Sequence, residues 1–279
     1  MSLTCPLQRG SLSIYGQIAG LDNFCWPDPV KSEKNPDGEY KLAQLVRSNQ
    51  ALYDYTKAFE VPCISGKDSM KNDSAMGGKK ISIIPTLLFS AVSRMDDISK
   101  SLTLDAKFAG DLVCVIGMTK PELGGSEYLA MLGKTGNSVP RVDAKFASKT
   151  YDRVSRLSSL GLLHSLHSPA LGGIAAGFAK IAIAGRLGLE IDIDGIPCEG
   201  VRCAAEILFS ESNSRFVASL PPGNLQKTRK IMLEIPFAVV GTVIEKQRLV
   251  FRSRKFKSAN FAIPLEKLVR AYKNPLDGV

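Results

Sequence analysis

Residues 65–72 read Ser-Gly-Lys-Asp-Ser-Met-Lys-Asn. An apolar run, Val61-Pro62-Cys63-Ile64, precedes them, and a polar segment ending in Gly77-Gly78 follows. A glycine at the end of a buried strand, followed by Lys, Asp and Ser, suits an anionic ligand. Gly66 lets the backbone approach closely, N–H groups and Lys67 can face a phosphate, and Asp68 can hold a metal. The same stretch also reads as a polar turn between two strands, with Lys67 and Asp68 solvated. It is not a P-loop, because the spaced first glycine of that motif is missing.

Upstream, residues 20–29 (GLDNFCWPDP) read as a strand running into a loop, with Asp22 and Asn23 as turn-formers. Residues 39–59 form a helix whose inner face is Leu42, Leu45, Val46, Leu52, Tyr55 and Phe59. Pro62 stops it, and 61–64 is a strand leading into the 65–72 turn. Downstream, residues 80–95 are one bent strand or two strands, largely buried and broken at Pro85.

Residues 102–111 connect to a strand at 112–117. Helices are expected at 143–160 (inner face Phe146, Tyr151, Val154, Leu157), 174–184, 200–212, 223–234 and 265–272. Strands are expected at 188–193 and 215–220, and 237–244 with 248–251 form a hairpin. Strands alternate with helices, yet several strands adjoin, which indicates an α+β fold rather than a doubly wound sheet.

The chain has 279 residues, 44% hydrophobic and 23% charged, enough for two domains with real cores. No apolar run approaches a membrane span, and residues 1–10 lack the apolar core of a signal peptide. Cys5, Cys25, Cys63, Cys114, Cys198 and Cys203 are scattered without a CxxC pair. That argues against a zinc site and for a reducing, cytoplasmic home. The net charge of +9 gathers partly in residues 246–257 and 267–273, but these basic stretches lack interleaved aromatics and any nucleic-acid motif. Nucleic acid and membrane are therefore not expected partners.

Several segments in order carry a resemblance: GLDNFCW (20–26), SGKDSM (65–70), IPTLLFSAV (84–92), the D-x-K-x-x-G-D-L-V run from Asp105, LGGSEY (123–128), GGIAAGFAKIAIAG (172–185) and LFSES-x-S-RFV (208–217). Together they resemble the second half of phosphoribosylformylglycinamidine synthase, of the aminoimidazole ribonucleotide synthetase superfamily. The resemblance implies a truncated N-terminal α/β domain at 1–105, which in the family pairs into a central β-barrel. It also implies a C-terminal α/β domain at 106–260 and a helix and tail at 261–279. Implied chemistry is an ATP- and Mg²⁺-dependent ligation. Formylglycinamide ribonucleotide and glutamine-derived ammonia give the amidine, through an iminophosphate from which ammonia displaces phosphate.

Residue by residue, the resemblance puts Asp22 and Gly66 at ATP contacts and Ser69 at a substrate contact. Many members have an asparagine Mg²⁺ ligand where this chain has Lys67. A protonated lysine cannot ligate a metal, so Lys67 contacts ATP phosphate or Asp68 takes the metal. The family's catalytic histidine lies in its first half, and neither His164 nor His167 matches it, so no catalytic residue is expected here. A second, pseudosymmetric nucleotide loop of the family, His-Asp-x-Ser-[Asp/Glu]-Gly-Gly, reads His167-Ser168-Pro169-Ala170-Leu171-Gly172-Gly173. Without its carboxylates this second site is expected to be dead. Implied partners are the N-terminal half of the synthase and a glutaminase component, with a homodimer through the barrel-forming domain. The alternatives are a non-catalytic docking half, or another kinase or synthetase of the superfamily.

Overall fold

The computed structural model describes residues 18–95 and 97–274, which form two compact units divided between Met95 and residue 97. Cys5, the 1–10 segment and the last five residues of the expected tail lie outside the described residues.

In the first unit, β1 (Ile18–Cys25) leads through a loop into α1 (Gly38–Ala58) and back to β2 (Cys63–Ser69). A hairpin of β3 (Asp73–Met76) and β4 (Lys79–Ser82) follows, then β5 (Thr86–Ser93). The sheet order is β2-β1-β5, with β1 parallel to β2 and antiparallel to β5. The β3–β4 turn is Gly77-Gly78, both at positive φ (56° and 76°), as a two-residue type I′ hairpin demands. That Gly-Gly signal was available in the sequence.

Three expectations fail here. Residues 65–69 are strand, not turn; the chain turns only at 70–72, where Lys71 takes φ 57°. On α1, Leu42 and Val46 are exposed, and the buried side chain is Lys41. Strand β5 is not largely buried, for Leu88 and Val92 are both more than half exposed.

Lys41 explains how α1 is seated. Its ammonium donates to Asn35 Oδ1 (2.8 Å) and Ser82 Oγ (3.1 Å) and pairs with Asp37 (2.9 Å). Its carbonyl accepts from the indole of Trp26, the chain's single tryptophan. A buried ammonium with three acceptors is satisfied, so it ties the 26–37 loop to β4 instead of costing stability.

Asp73 completes this seam, accepting from the Asp28 N–H (3.0 Å) and pairing with Lys80 (3.2 Å). Burial pushes its carboxyl up, but hydrogen bonds from Ser82, the Asp28 N–H and Lys80 together hold it below its ordinary value. A carboxyl depressed by folding adds stability above its unfolded pKa, and that contribution is lost as pH falls through the folded one. Acid titration followed by Trp26 fluorescence is therefore expected to show a loss of first-unit stability below about pH 4. The loss should be shallower in Asp73→Asn, and identical acid profiles would refute the assignment.

In the second unit, the elements are β6 (Leu112–Ile116), α2 (Glu127–Met131), α3 (Ala144–Ser159), β7 (Ser165–His167), α4 (Gly173–Gly185) and β8 (Gly188–Asp192). Then follow α5 (Ala204–Phe209), β9 (Phe216–Leu220), α6 (Leu225–Ile231), β10 (Phe237–Ile244), β11 (Arg248–Arg252), β12 (Phe261–Pro264) and α7 (Leu265–Lys273). One mixed sheet runs β12-β11-β8-β10-β6-β9-β7. Both units mix strands and helices as an α+β protein does. The expected β10–β11 hairpin is not formed: β8 lies between them, antiparallel to β10 and parallel to β11. The helices expected over 200–212 and 223–234 shrink to α5 and α6, and β12 was not foreseen.

Alternation along β6 feeds two cores. Val113 and Val115 join Phe178 and Ile181 of α4, Leu189, Ile191 and Phe251 on one face. Each such side chain contributes about 2 kcal/mol by burial. Cys114 and Ile116 point to the other face, where Tyr151 of α3 meets Phe216 edge-on. Asp143 caps α3, accepting from the Phe146 N–H (3.0 Å); of the expected inner face Tyr151, Val154 and Leu157 are buried, but Phe146 is only half-buried. Burial pushes the Cys114 thiol up to about 12, so it serves as a hydrophobe.

The segment preceding β6 bonds into this unit, through Leu166 N–H to the Thr103 carbonyl and Ala106 N–H to the Ile181 carbonyl. The boundary drawn at 105/106 from the sequence thus falls inside it. No helix among the described residues is long and apolar enough to cross a membrane.

Candidate functional site

Parallel pairing of β1 with β2 sets Asp22 opposite Gly66, Asn23 opposite Lys67, Phe24 opposite Asp68 and Cys25 opposite Ser69. Because strand side chains alternate, this register sorts the candidates onto two faces. Asp22, Gly66 and Asp68 share the face of buried Phe24. Lys67 and Ser69 share the opposite face with Asn23, and the Lys67 ammonium donates to Ser69 Oγ at 2.6 Å. Leu88 and Val92 of β5 register with Asn23 and Ala19 on that same open face.

Gly66 allows a close approach and does not make a turn. A methyl group there would lie 3.0 Å from Asp22 Oδ1, and its φ is not positive. The Asp22 carboxylate therefore rests directly on the Gly66 backbone. Among the described residues strand β2 is an edge, with no strand neighbour on its outer side in this sheet.

The sequence expectation treated 65–72 as one turn facing an anionic ligand or solvent. The structure brings Asp22, Gly66 and Asp68 together, and Lys67 and Ser69 together, but on opposite faces. Asn23, read as a turn-former, joins Lys67 and Ser69; parallel register is a tertiary fact with no local signal. Among the described residues no group of three or more His, Cys, Asp or Glu is placed to hold a metal. The chain's own donors on one face are the two carboxylates Asp22 and Asp68. That fits Mg²⁺, which takes one or two carboxylates and completes its shell with phosphate oxygens and water.

In the second unit, His164 pairs with buried Asp111 (2.8 Å) and packs against Phe108, which fastens β7 to the segment before β6. His167 and Ser168 keep a buried ring nitrogen and hydroxyl without partners, and burial holds the His167 imidazole below its ordinary value. At the start of α4, Glu211 Oε1 accepts from the Gly172 N–H (2.8 Å) and from the Glu127 N–H of α2 (3.0 Å). A carboxylate thus already sits on one backbone donor of the 167–173 loop, the Gly172 N–H, where an anion would be drawn by a helix start. Its role was not visible from the LFSES sequence.

The family model for AIR synthase related protein, C-terminal domain, matches residues 109–254. The chain belongs to the AIR synthase related family. A phosphoribosylformylglycinamidine synthase subunit PurL from Thermococcus sibiricus is 31% identical over 280 residues, covering 100% of this chain and 37% of the relative. The chain thus spans little more than a third of that PurL. Among solved structures, T. maritima PurL complexed with FGAR superposes with a TM-score of 0.66 at 17% identity, covering 95% of this chain and 40% of the other. The HypE–HypF complex gives 0.64 at 13% identity, covering 93% and 82%. These two likenesses establish the AIR synthase-like fold. They do not separate PurL from HypE, whereas the sequence identity favours PurL.

Proposed function

We propose that this chain supplies part of the ATP- and substrate-binding surface of a PurL-type phosphoribosylformylglycinamidine synthase, a cytoplasmic ligase of purine biosynthesis. Its site is completed by the synthase's other half, and its ammonia comes from a glutaminase component. The observation that carries this reading is the β1–β2 register, which sets Asp22 on Gly66, beside a Lys67–Ser69 hydrogen bond along β2.

Asp22 offers an acceptor, and the Gly66 backbone a surface that a nucleotide can approach closely. Lys67 neutralises an anionic oxygen as a point charge, and its bond to Ser69 orients that hydroxyl toward substrate. Mg²⁺, held by Asp68 with Asp22, would neutralise phosphate charge when bound. The open face bearing Leu88 and Val92 is where the completing half docks, because an unpaired apolar sheet face seeks cover. With no such half present, a homodimer forms through the same face. The 167–173 loop is not a second nucleotide site, since Glu211 occupies the Gly172 N–H and the carboxylates of the family's loop are replaced by Ser168 and Leu171.

The test is conversion of formylglycinamide ribonucleotide with ATP, Mg²⁺ and ammonia, by the chain alone and mixed with a first-half polypeptide. Turnover is expected only in the mixture. Ser69→Ala and Lys67→Ala should each lower kcat/KM by about 10- to 100-fold with assembly intact. Unchanged turnover in both variants would favour a purely docking role. Turnover by the chain alone would place the site elsewhere in these 279 residues.

A further inference from the structure

The second unit contains a cavity lined by its own residues. Its volume is about 260 Å³, and it is lined by Met118, Lys120, Glu122, Arg141, Phe146 and Glu199, among others. It lies where the chain leaves β6, enters β9 and enters β10, which are adjacent strands that include the centre of the sheet. Convergence of loops at one end of central strands is a common setting for a small-molecule site.

The frame is fixed. Buried Arg215 donates to the Ser212 carbonyl (2.9 Å), the Ser210 carbonyl (2.5 Å) and Thr119 Oγ1 (2.8 Å). Ser212 Oγ in turn accepts from the Lys120 N–H (3.1 Å). Buried Glu122 is held by the Arg141 N–H (3.2 Å), and Ser214 by the Tyr151 hydroxyl (2.9 Å). Within this rigid rim, the side chains of Lys120 and Arg141 are exposed and have no hydrogen-bond or ion-pair partner among the described residues.

We propose that this cavity binds a small phosphomonoester of a polyol, such as a sugar phosphate. Lys120 and Arg141 hold the phosphate, and the carboxylates of Glu122 and Glu199 accept from hydroxyl groups. Three features choose this class. Lys120 and Arg141, whose side chains have no direct partner among the described residues, can make charge-assisted hydrogen bonds to a phosphate monoester, which carries about −1.5 to −2 at neutral pH. The carboxylates of Glu122, Asp143 and Glu199 on the same wall repel a polyphosphate but suit hydroxyl donors. The volume falls just below the usual range for drug-sized ligands, so it suits roughly a dozen heavy atoms, and Met118, Phe146 and Pro236 give the carbon skeleton an apolar wall.

The experiment is calorimetric titration of the full chain with ribose 5-phosphate, ribose and inorganic phosphate. Saturable binding of ribose 5-phosphate is expected, tighter than that of phosphate and with none for ribose. Lys120→Ala and Arg141→Ala should each weaken it about tenfold. Both side chains are exposed and unpartnered, so the variants should melt as the parent does, and a loss of binding is not a loss of fold. Absence of saturation up to about 10 mM overturns the proposal, as does ribose binding equally well. So does binding that survives both variants but disappears in Ser69→Ala, which would locate the ligand at the β1–β2 face.

Discussion

Replacing Arg215 with methionine is expected to destabilise the second unit by about 3–5 kcal/mol. Two effects compete. The guanidinium is 1% exposed, and burial pushes its pKa down to about 10, against the pull of Glu122 and Glu211. Removing a charge that the fold strips of water would by itself help. Whole buried ion pairs exchanged for apolar groups are often neutral for that reason. Here, however, the partners are not removed. The carbonyls of Ser210 and Ser212 and the hydroxyl of Thr119 remain, buried and orphaned, each costing about 1–3 kcal/mol. The orphaned acceptors win. A unit of this size should then melt about 10 °C lower by scanning calorimetry. Arg215→Lys should restore less than half of the loss, because an ammonium cannot reproduce the fork that reaches three acceptors. A methionine variant within about 1 kcal/mol of the parent would show that water satisfies these acceptors.

The same kind of contest explains what was legible in the sequence. α3 was the more legible: helical spacing placed the helix and three of its four expected inner-face residues, Tyr151, Val154 and Leu157, while Phe146 stays only half-buried. α1 shows where that logic stops. Its apolar residues do recur at helical spacing, but periodicity does not say which face will be covered, and Lys41 went in while Val46 stayed out. Residues 65–69 were read as a turn because Gly, Lys and Asp are poor strand formers. Pairing with β1 overrides that preference, and with it goes the reading of a single turn. The candidate residues were found by motif; their division between two faces needed the register. The role of Glu211, and the Thr119 contact of Arg215, depend on partners tens of residues away in sequence, which no local pattern encodes.

Gly188→Ala tests the other long-range surprise, the insertion of β8 between β10 and β11. To place consecutive strands on either side of a third, the chain must step across it within residues 245–247. It does so over the first residue of β8: a methyl on Gly188 would lie 2.0 Å from the Lys246 carbonyl oxygen and 2.5 Å from that of Arg248. Both obstacles are backbone, so no rotamer change relieves them. Gly188 has no positive φ, so alanine should otherwise stabilise by about 0.4–1 kcal/mol through the unfolded chain. The clash reverses that sign. Separating the crossover from β8 loosens Leu189, Ile191, Leu249 and Phe251, which form the core on that face, and the expected net loss is about 3 kcal/mol. Gly223→Ala is the control, since a methyl there meets nothing within 4 Å. Denaturant midpoints should separate the two variants, with hydrogen exchange accelerated in β8 and β11 of Gly188→Ala alone. A Gly188→Ala variant as stable as Gly223→Ala would mean that the crossover yields without cost, and that the β10-β8-β11 order rests on side-chain packing instead of on this glycine.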